Sequence, residues 1–196
     1  MGDPRIRTVS KQTRETRIAL TLSLDGNGTA TVNSGIGFLD HMISTLARFS
    51  RIDIELDVVG DLYVDDHHTA EDTALAIGSA IDDALGERRG IARFGSAYAP
   101  LDEALARAVV DLSGRPSPHI DLGLRRENIG QLATENITHF FQSLAIAMRS
   151  SVHVDVLKGD NDHHRSEAAF KAMGLALRQA IALDGSTSIP SEKGVL

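Results

Sequence analysis

One short pattern, HH-x-x-E, occurs twice in this chain: His67-His68 with Glu71, and His163-His164 with Glu167. Imidazole nitrogen and carboxylate oxygen are the donors a divalent transition metal takes when no sulfur is offered, and they suit Mn, Fe, Co, Ni or Zn. Mn or Fe would keep octahedral positions open for a substrate. Each copy follows another histidine: His41 precedes His67 by 26 residues and His139 precedes His163 by 24. Six of the eight histidines thus occupy matching places in a repeat.

Helix geometry says how such a pattern can be used. His68 and Glu71, three apart, share a face. His67 lies about 100° round the axis from its neighbour, so two adjacent imidazoles do not readily chelate one ion and can serve two. With His41 or His139 added, each half offers three imidazoles and one carboxylate, enough for two ions over the whole chain. A lone helical histidine is more often packed or solvated than a ligand. Two copies in register with a repeat of the whole domain overturn that default. His153, on the polar side of its strand, is expected to be solvated. His119, in GRPSPHIDLG, is a weaker candidate for a place near a site.

The elements that position these residues repeat as well. GFLDHMISTLARF, SRIDIELDVVGD and the first HH-x-x-E segment are answered in order by ENITHFFQSLAIAM, SSVHVDVLKGD and the second. Upstream, IALTLSLDG and ARAVVDLSG both read as strands ending in a turn. Ile52, Ile54, Leu56 and Val58 alternate with acidic residues, and Val152, Val154 and Val156 alternate with His153 and Asp155, the period of a half-buried strand. After His68, Ala70, Ala74, Ile77 and Ile81 recur at helical intervals, with Gly86 as a stop. The second metal helix is expected to run to Gly185. GERRGIARFGSAYAPLDEAL reads as loop plus strand joining the halves, and GSTSIPSEKGVL as a loop-like tail. The expectation is an α+β chain, a single domain over 1–196 made of two similar halves, about 1–90 and 91–196, each a β-sheet with two helices.

Composition narrows the function. A length of 196 residues is enough to bury a sizeable core. With 4% aromatics and no Trp, that core must be mostly Ala, Leu, Ile and Val. A net charge of −7 does not suit general nucleic-acid binding, which needs clustered Lys and Arg. The absence of Cys excludes thiolate metal sites and disulfides. The N-terminal segment is charged, without an apolar stretch, and no run approaches a membrane span. A cytoplasmic location is the expectation.

Arg93 in GIARFG, Arg115 in LSGRPSP, Lys171, and Lys193 in PSEKG stand beside Gly, Pro or Ser or on a metal helix, and could bind an anion such as phosphate. Singly, each also reads as a solvated cation. Lys171 lies four residues after Glu167 and so on its face. Glu15, in KQTRETRI, reads on its own as part of a solvated edge strand.

With these residues assembled, the chain resembles the imidazoleglycerol-phosphate dehydratase family in its single-function form. The matching segments are RETRIALTLSLDGNGTATVNSGIGFLDHM, GDLYVDDHHTAEDTALAIG, ARFGSAYAPLDEALARAVVDLSGRP, THFFQSLA, GDNDHHRSEAAFKA and PSEKGVL, in order over nearly the whole chain. The resemblance implies a tandem duplication related to the second domain of ribosomal protein S5, and trimers that assemble into a homo-24-mer. It implies two Mn(II) ions per active site at subunit junctions, one held by His41, His68, Glu71 and His163, the other by His67, His139, His164 and Glu167. It makes Glu15 a catalytic acid/base and substrate-binding candidate beside Glu71 and Glu167, and Arg93, Arg115, Lys171, Ser191 and Lys193 candidates for the substrate phosphate. Asp40, Asp66 and Asp72 become candidate carboxylate partners of ligating histidines.

The implied reaction is the sixth step of histidine biosynthesis, a hydro-lyase conversion of imidazoleglycerol phosphate to imidazoleacetol phosphate and water. The carbon that loses its proton has no adjacent carbonyl. An imidazolate held between metals can expel the hydroxyl through a diazafulvene-like intermediate and make that proton acidic. A carboxylate then moves it. Two rival readings use the same ligands: a dinuclear metallohydrolase with a bridging hydroxide, and a non-enzymatic assembly stapled by metal ions.

Overall fold

The computed structural model describes residues 4–196. The first half runs β1 (Ile6–Gln12), β2 (Thr16–Ser23), β3 (Ala30–Asn33), α1 (Gly37–Ser50), β4 (Asp53–Gly60) and α2 (His67–Leu85). The second runs β5 (Phe94–Leu101), β6 (Ala104–Asp111), β7 (Ser117–Asp121), the small hairpin β8 (Asn128–Ile129) and β9 (Leu132–Ala133), α3 (Thr134–Ala147), β10 (Ser151–Lys158) and α4 (Asp162–Ala180).

The two halves fold alike. Each contributes a four-stranded sheet, ordered β1-β2-β4-β3 and β5-β6-β10-β7. In both, the second strand pairs antiparallel with the strand before the HH-x-x-E helix, and a short third strand joins that strand in parallel. The alternation read in β4 and β10 is borne out, with Ile54, Leu56 and Val58 and with Val152 and Val154 buried and Val156 partly so, and β2 (Ile18, Leu20, Leu22) and β6 (Ala106, Ala108, Val110) bury the same face. α1 and α2 cover the first sheet, α3 and α4 the second, and α1 packs on α4 while α2 packs on α3. The result is a β-α-α-β stack with the core between the sheets. Three phenylalanines reinforce its Ala-rich interior: Phe140, Phe141 and Phe170 are buried, with Phe141 and Phe170 4.4 Å apart between ring centroids.

Two details depart from the sequence reading. α4 stops at Ala180, five residues before Gly185, because the chain is captured by a bridge between Leu183 and Ile91 and the Ala180 carbonyl accepts from the Arg93 N–H. Among the described residues, the β8–β9 hairpin has no counterpart in the first half. Among the described residues, no helix is long and apolar enough to cross a membrane.

The helix pairs approach closely because α2 and α4 each carry a glycine seven residues after the motif glutamate. A Cβ on Gly78 would lie 2.7 Å from the Leu144 carbonyl oxygen of α3, and one on Gly174 would lie 2.9 Å from Phe49 Cβ of α1. Both are closer than real contacts allow, so these positions demand glycine if the pairs are to stay at this distance.

Candidate metal centre and substrate site

Both HH-x-x-E motifs open helices, and the first turn of each is fixed by a side chain two residues upstream. The His67 N–H donates to Asp65 Oδ1 and the His163 N–H to Asn161 Oδ1, each at 2.9 Å. From these first turns the helix pairing builds two clusters. Across α1 and α4, His41 Nε2 and His163 Nε2 lie 3.1 and 3.3 Å from Glu167 Oε2. Across α2 and α3, His139 Nε2 lies 3.1 Å from Glu71 Oε1 and His67 Nε2 lies 4.0 Å from Glu71 Oε2. In each triad the ligand atoms all fall within 4.8 Å of one another.

The second histidine of each motif points away. The His67 and His68 rings are near perpendicular with centroids 6.0 Å apart, and so are His163 and His164 at 6.1 Å. Adjacent histidines therefore do face different places, as helix geometry requires. The same-face pairing is corrected: the carboxylate meets the histidine four residues before it, not the one three before. The allocation of carboxylates implied by the family pattern is also reversed within one chain. Glu71 joins His67 and His139, and Glu167 joins His41 and His163.

The donor set fits divalent ions. His67 Nδ1 lies 2.9 Å from Asn136 Oδ1, His68 Nδ1 3.0 Å from Asp61 Oδ2, and His164 Nδ1 2.7 Å from Glu103 Oε2. Each contact occupies Nδ1 and leaves Nε2 for a ligand, the arrangement by which outer carboxylates and amides orient metal-binding imidazoles. These partners replace the expected ones. Asp40 caps Ser34, Asp66 accepts from the Ala133 N–H, and Asp72 holds Lys11 and Thr16. Burial pushes the Glu167 carboxyl up, but hydrogen bonds from Lys171 and His41 outweigh it and hold it at about 2, so it is ionised at neutral pH. The hydrogen bond to Asp61 raises His68, and the one to Glu103 raises His164.

The family model for imidazoleglycerol-phosphate dehydratase matches residues 34–177, more than half the chain. This chain belongs to the imidazoleglycerol-phosphate dehydratase family. Among its relatives, the imidazoleglycerol-phosphate dehydratase of Phytophthora nicotianae is 58% identical over 188 residues, covering 96% of this chain but 42% of that protein. That of Eremothecium gossypii is 48% identical with all of both chains covered. The crystal structure of the Staphylococcus aureus enzyme superposes with a TM-score of 0.82 at 33% identity, over 91% of this chain and 99% of that one. The Pyrococcus furiosus enzyme, solved in complex with (S)-C348, also scores 0.82, at 32% identity over 96% and 100%.

The other candidates expected from the imidazoleglycerol-phosphate dehydratase pattern fall into two places. Lys171 stands at a metal cluster, its Nζ 2.9 Å from Glu167 Oε1. Glu15, in the β1–β2 turn, brings Oε1 to 3.8 Å from His68 Nε2. Arg93, Arg115, Ser191 and Lys193 gather elsewhere. Arg93 Nε and Nη2 bind Asp111 at 2.7 and 3.1 Å, and Nη1 donates to the Pro190 carbonyl of the tail at 2.9 Å. Arg115 Nη1 donates to the Ser113 carbonyl, and Ser191 Oγ accepts from the Lys193 N–H. Because Arg93 is tied to Ala180 at the far end of α4, this group stands about 20 Å along the helix from Glu167. One chain does not bring these four residues to either cluster.

His119 and His153 are not part of a cluster. They stack at 4.4 Å on the exposed face of the second sheet, opposite one another in register. The neighbours of these histidines that sequence reasoning missed, Asp61, Asn136, Glu103 and Asp102, sit in loops or on a helix turn. Only Asp61 left a signal, in the Gly-Asp that precedes each HH-x-x-E.

Proposed function

We propose that this protein dehydrates imidazoleglycerol phosphate to imidazoleacetol phosphate and water, as a hydro-lyase of histidine biosynthesis that uses two Mn(II) ions per site. The observation that supports this most is the pair of equivalent clusters, each two imidazoles and a carboxylate, in a chain of this family. When bound, divalent ions supply Lewis acidity at the substrate's ring nitrogens, which lets the ring shed its N–H and push out the adjacent hydroxyl.

The protein's own groups do the rest. His41, His163 and Glu167 hold one ion, and His67, His139 and Glu71 the other. Each triad leaves its coordination incomplete, as catalytic sites do. His68 and His164, oriented through Nδ1 with Nε2 open, complete the clusters of neighbouring copies. The open Nε2 atoms and the distance of Arg93 and Arg115 from the chain's own clusters both support sites formed at subunit junctions, within the trimer-based homo-24-mer. Glu15 travels with His68 and moves a proton at a substrate carbon. Arg93, Arg115, Lys171, Ser191 and Lys193 hold the phosphate and orient the substrate without taking part in bond breaking. The setting is the cytoplasm, where a phosphorylated intermediate of amino-acid synthesis is made and used.

Incubating the manganese-loaded protein with imidazoleglycerol phosphate tests this: imidazoleacetol phosphate should accumulate, and the metal-stripped protein should make none.

A further inference from the structure

The two histidines left outside the clusters have matched surroundings. His68 Nε2 lies 3.8 Å from Glu15 Oε1, and His164 Nε2 lies 3.8 Å from Asp102 Oδ2. In both, Nδ1 is held by a second carboxylate, Asp61 or Glu103. The correspondence is one of role, not of loop position. Glu103 occupies the place in the β5–β6 turn that Glu15 occupies in the β1–β2 turn, but it is engaged in holding His164 and accepts the N–H groups of Asp160 and Asn161. The carboxylate left facing Nε2 is Asp102. It is 74% exposed and accepts no hydrogen bond from the described residues.

The backbone at Asp102 adds an independent observation. Leu101 pairs with Ala104, so Asp102 and Glu103 form a two-residue hairpin loop, and Asp102 has φ +47°. A positive φ at the first central residue of such a loop suits Asp, Asn or Gly, so the turn itself fixes where the Asp102 carboxylate stands. An ordered carboxylate with no partner of its own, beside an open imidazole nitrogen, is the geometry expected of an acid/base group.

We propose that Asp102 is a second proton-transfer residue of the dehydration, working beside His164 as Glu15 works beside His68; this rests on the dehydratase reading. The reaction needs more than one transfer. A carbon gives up its proton, the C–O bond at the ring-side carbon breaks, and hydroxide departs as water with one proton added. The resulting enol O–H then loses its proton and the ring-side carbon gains one. Apart from the ring N–H, which leaves and returns at nitrogen, two protons are removed and two delivered, so Glu15 and Asp102 each take one and return one.

The test uses Asp102→Asn, Asp102→Gly and Asp102→Glu in the full-length, manganese-loaded protein. Asp102→Gly suits the same left-handed backbone, so its thermal midpoint should stay close to that of the wild type. Its manganese content should be unchanged, while kcat falls by about 10²-fold or more and KM stays within about threefold. Asp102→Asn should behave alike in kcat, and Asp102→Glu should recover part of the rate. A kcat of Asp102→Gly or Asp102→Asn within about threefold of wild type overturns the proposal. So does a loss of activity that follows a loss of metal, which would make Asp102 an ion-binding residue. A wild type that does not turn over imidazoleglycerol phosphate instead sinks the dehydratase reading, and the role of Asp102 with it.

Discussion

Glu71 of α2 and His139 of α3, 68 residues apart in the chain, meet at 3.1 Å across a helix interface. Glu167 and His41 repeat the contact at 3.1 Å across α4 and α1, over 126 residues. The imidazoles and carboxylates of each cluster are thus brought together by tertiary packing between the halves, and anything that moves one helix of a pair takes a histidine away from its carboxylate.

Gly174 tests that dependence away from the ligands. A side chain there meets Phe49 Cβ, the Leu46 carbonyl and the Ser50 N–H of α1 within about 3 Å. Gly174→Val should cost about 1–3 kcal/mol by overpacking, lower the thermal midpoint and weaken manganese binding. Calorimetry and a metal titration check both effects.

His68 should be needed although it lies outside its own chain's clusters. His68→Ala is expected to lose bound metal, activity and assembled mass together, measured by elemental analysis, turnover and analytical ultracentrifugation. His153→Ala, on the exposed stack with His119, should leave all three unchanged.

Asp72 ties the first metal helix to the first hairpin through Lys11 and Thr16. Burial pushes its carboxyl up, but the hydrogen bonds from Thr16 and Lys11 more than offset that and leave it below the ordinary value of 3.8. A lowered folded value means its stabilisation is fully present above the unfolded value and is lost as pH falls through the folded one. Asp72→Ala should therefore cost about 1–3 kcal/mol at neutral pH, and the gap between variant and wild type should begin to narrow below about pH 4 and shrink further as the pH falls through the lowered folded value. Denaturant titrations at both pH values measure it.

Lys193 is exposed on the tail beside Ser191. Lys193→Ala should raise KM while leaving the manganese content and the thermal midpoint unchanged. Loss of metal would contradict its assignment to the phosphate.

Much of this was legible in the sequence because the repeat is carried by residue types with strict periods. The alternation in β4 and β10, the His-Glu spacing and the slim helices followed from local rules. What was not legible depended on which helices pair. Sequence order suggests α1 beside α2 within a half, whereas α1 packs on α4, and that exchange decides that Glu167 and not Glu71 faces His41. The end of α4 was misplaced because a long-range bridge from Ile91 captures Leu183, which no helical period reports. Asp61 and Glu103 were passed over because a loop carboxylate has no periodic signature, and the acidic residues nearest the motifs in sequence, Asp66 and Asp72, turned out to be bonded elsewhere.

The central claim is that the two His-His-Glu clusters hold the metals of a dehydratase. The most direct measurement is turnover of imidazoleglycerol phosphate by metal-stripped protein as Mn(II) is added back. Imidazoleacetol phosphate formation should rise with bound manganese to two ions per subunit, with no hydrolysis of simple phosphoesters. Full turnover without metal, or phosphoester hydrolysis in place of dehydration, would contradict it.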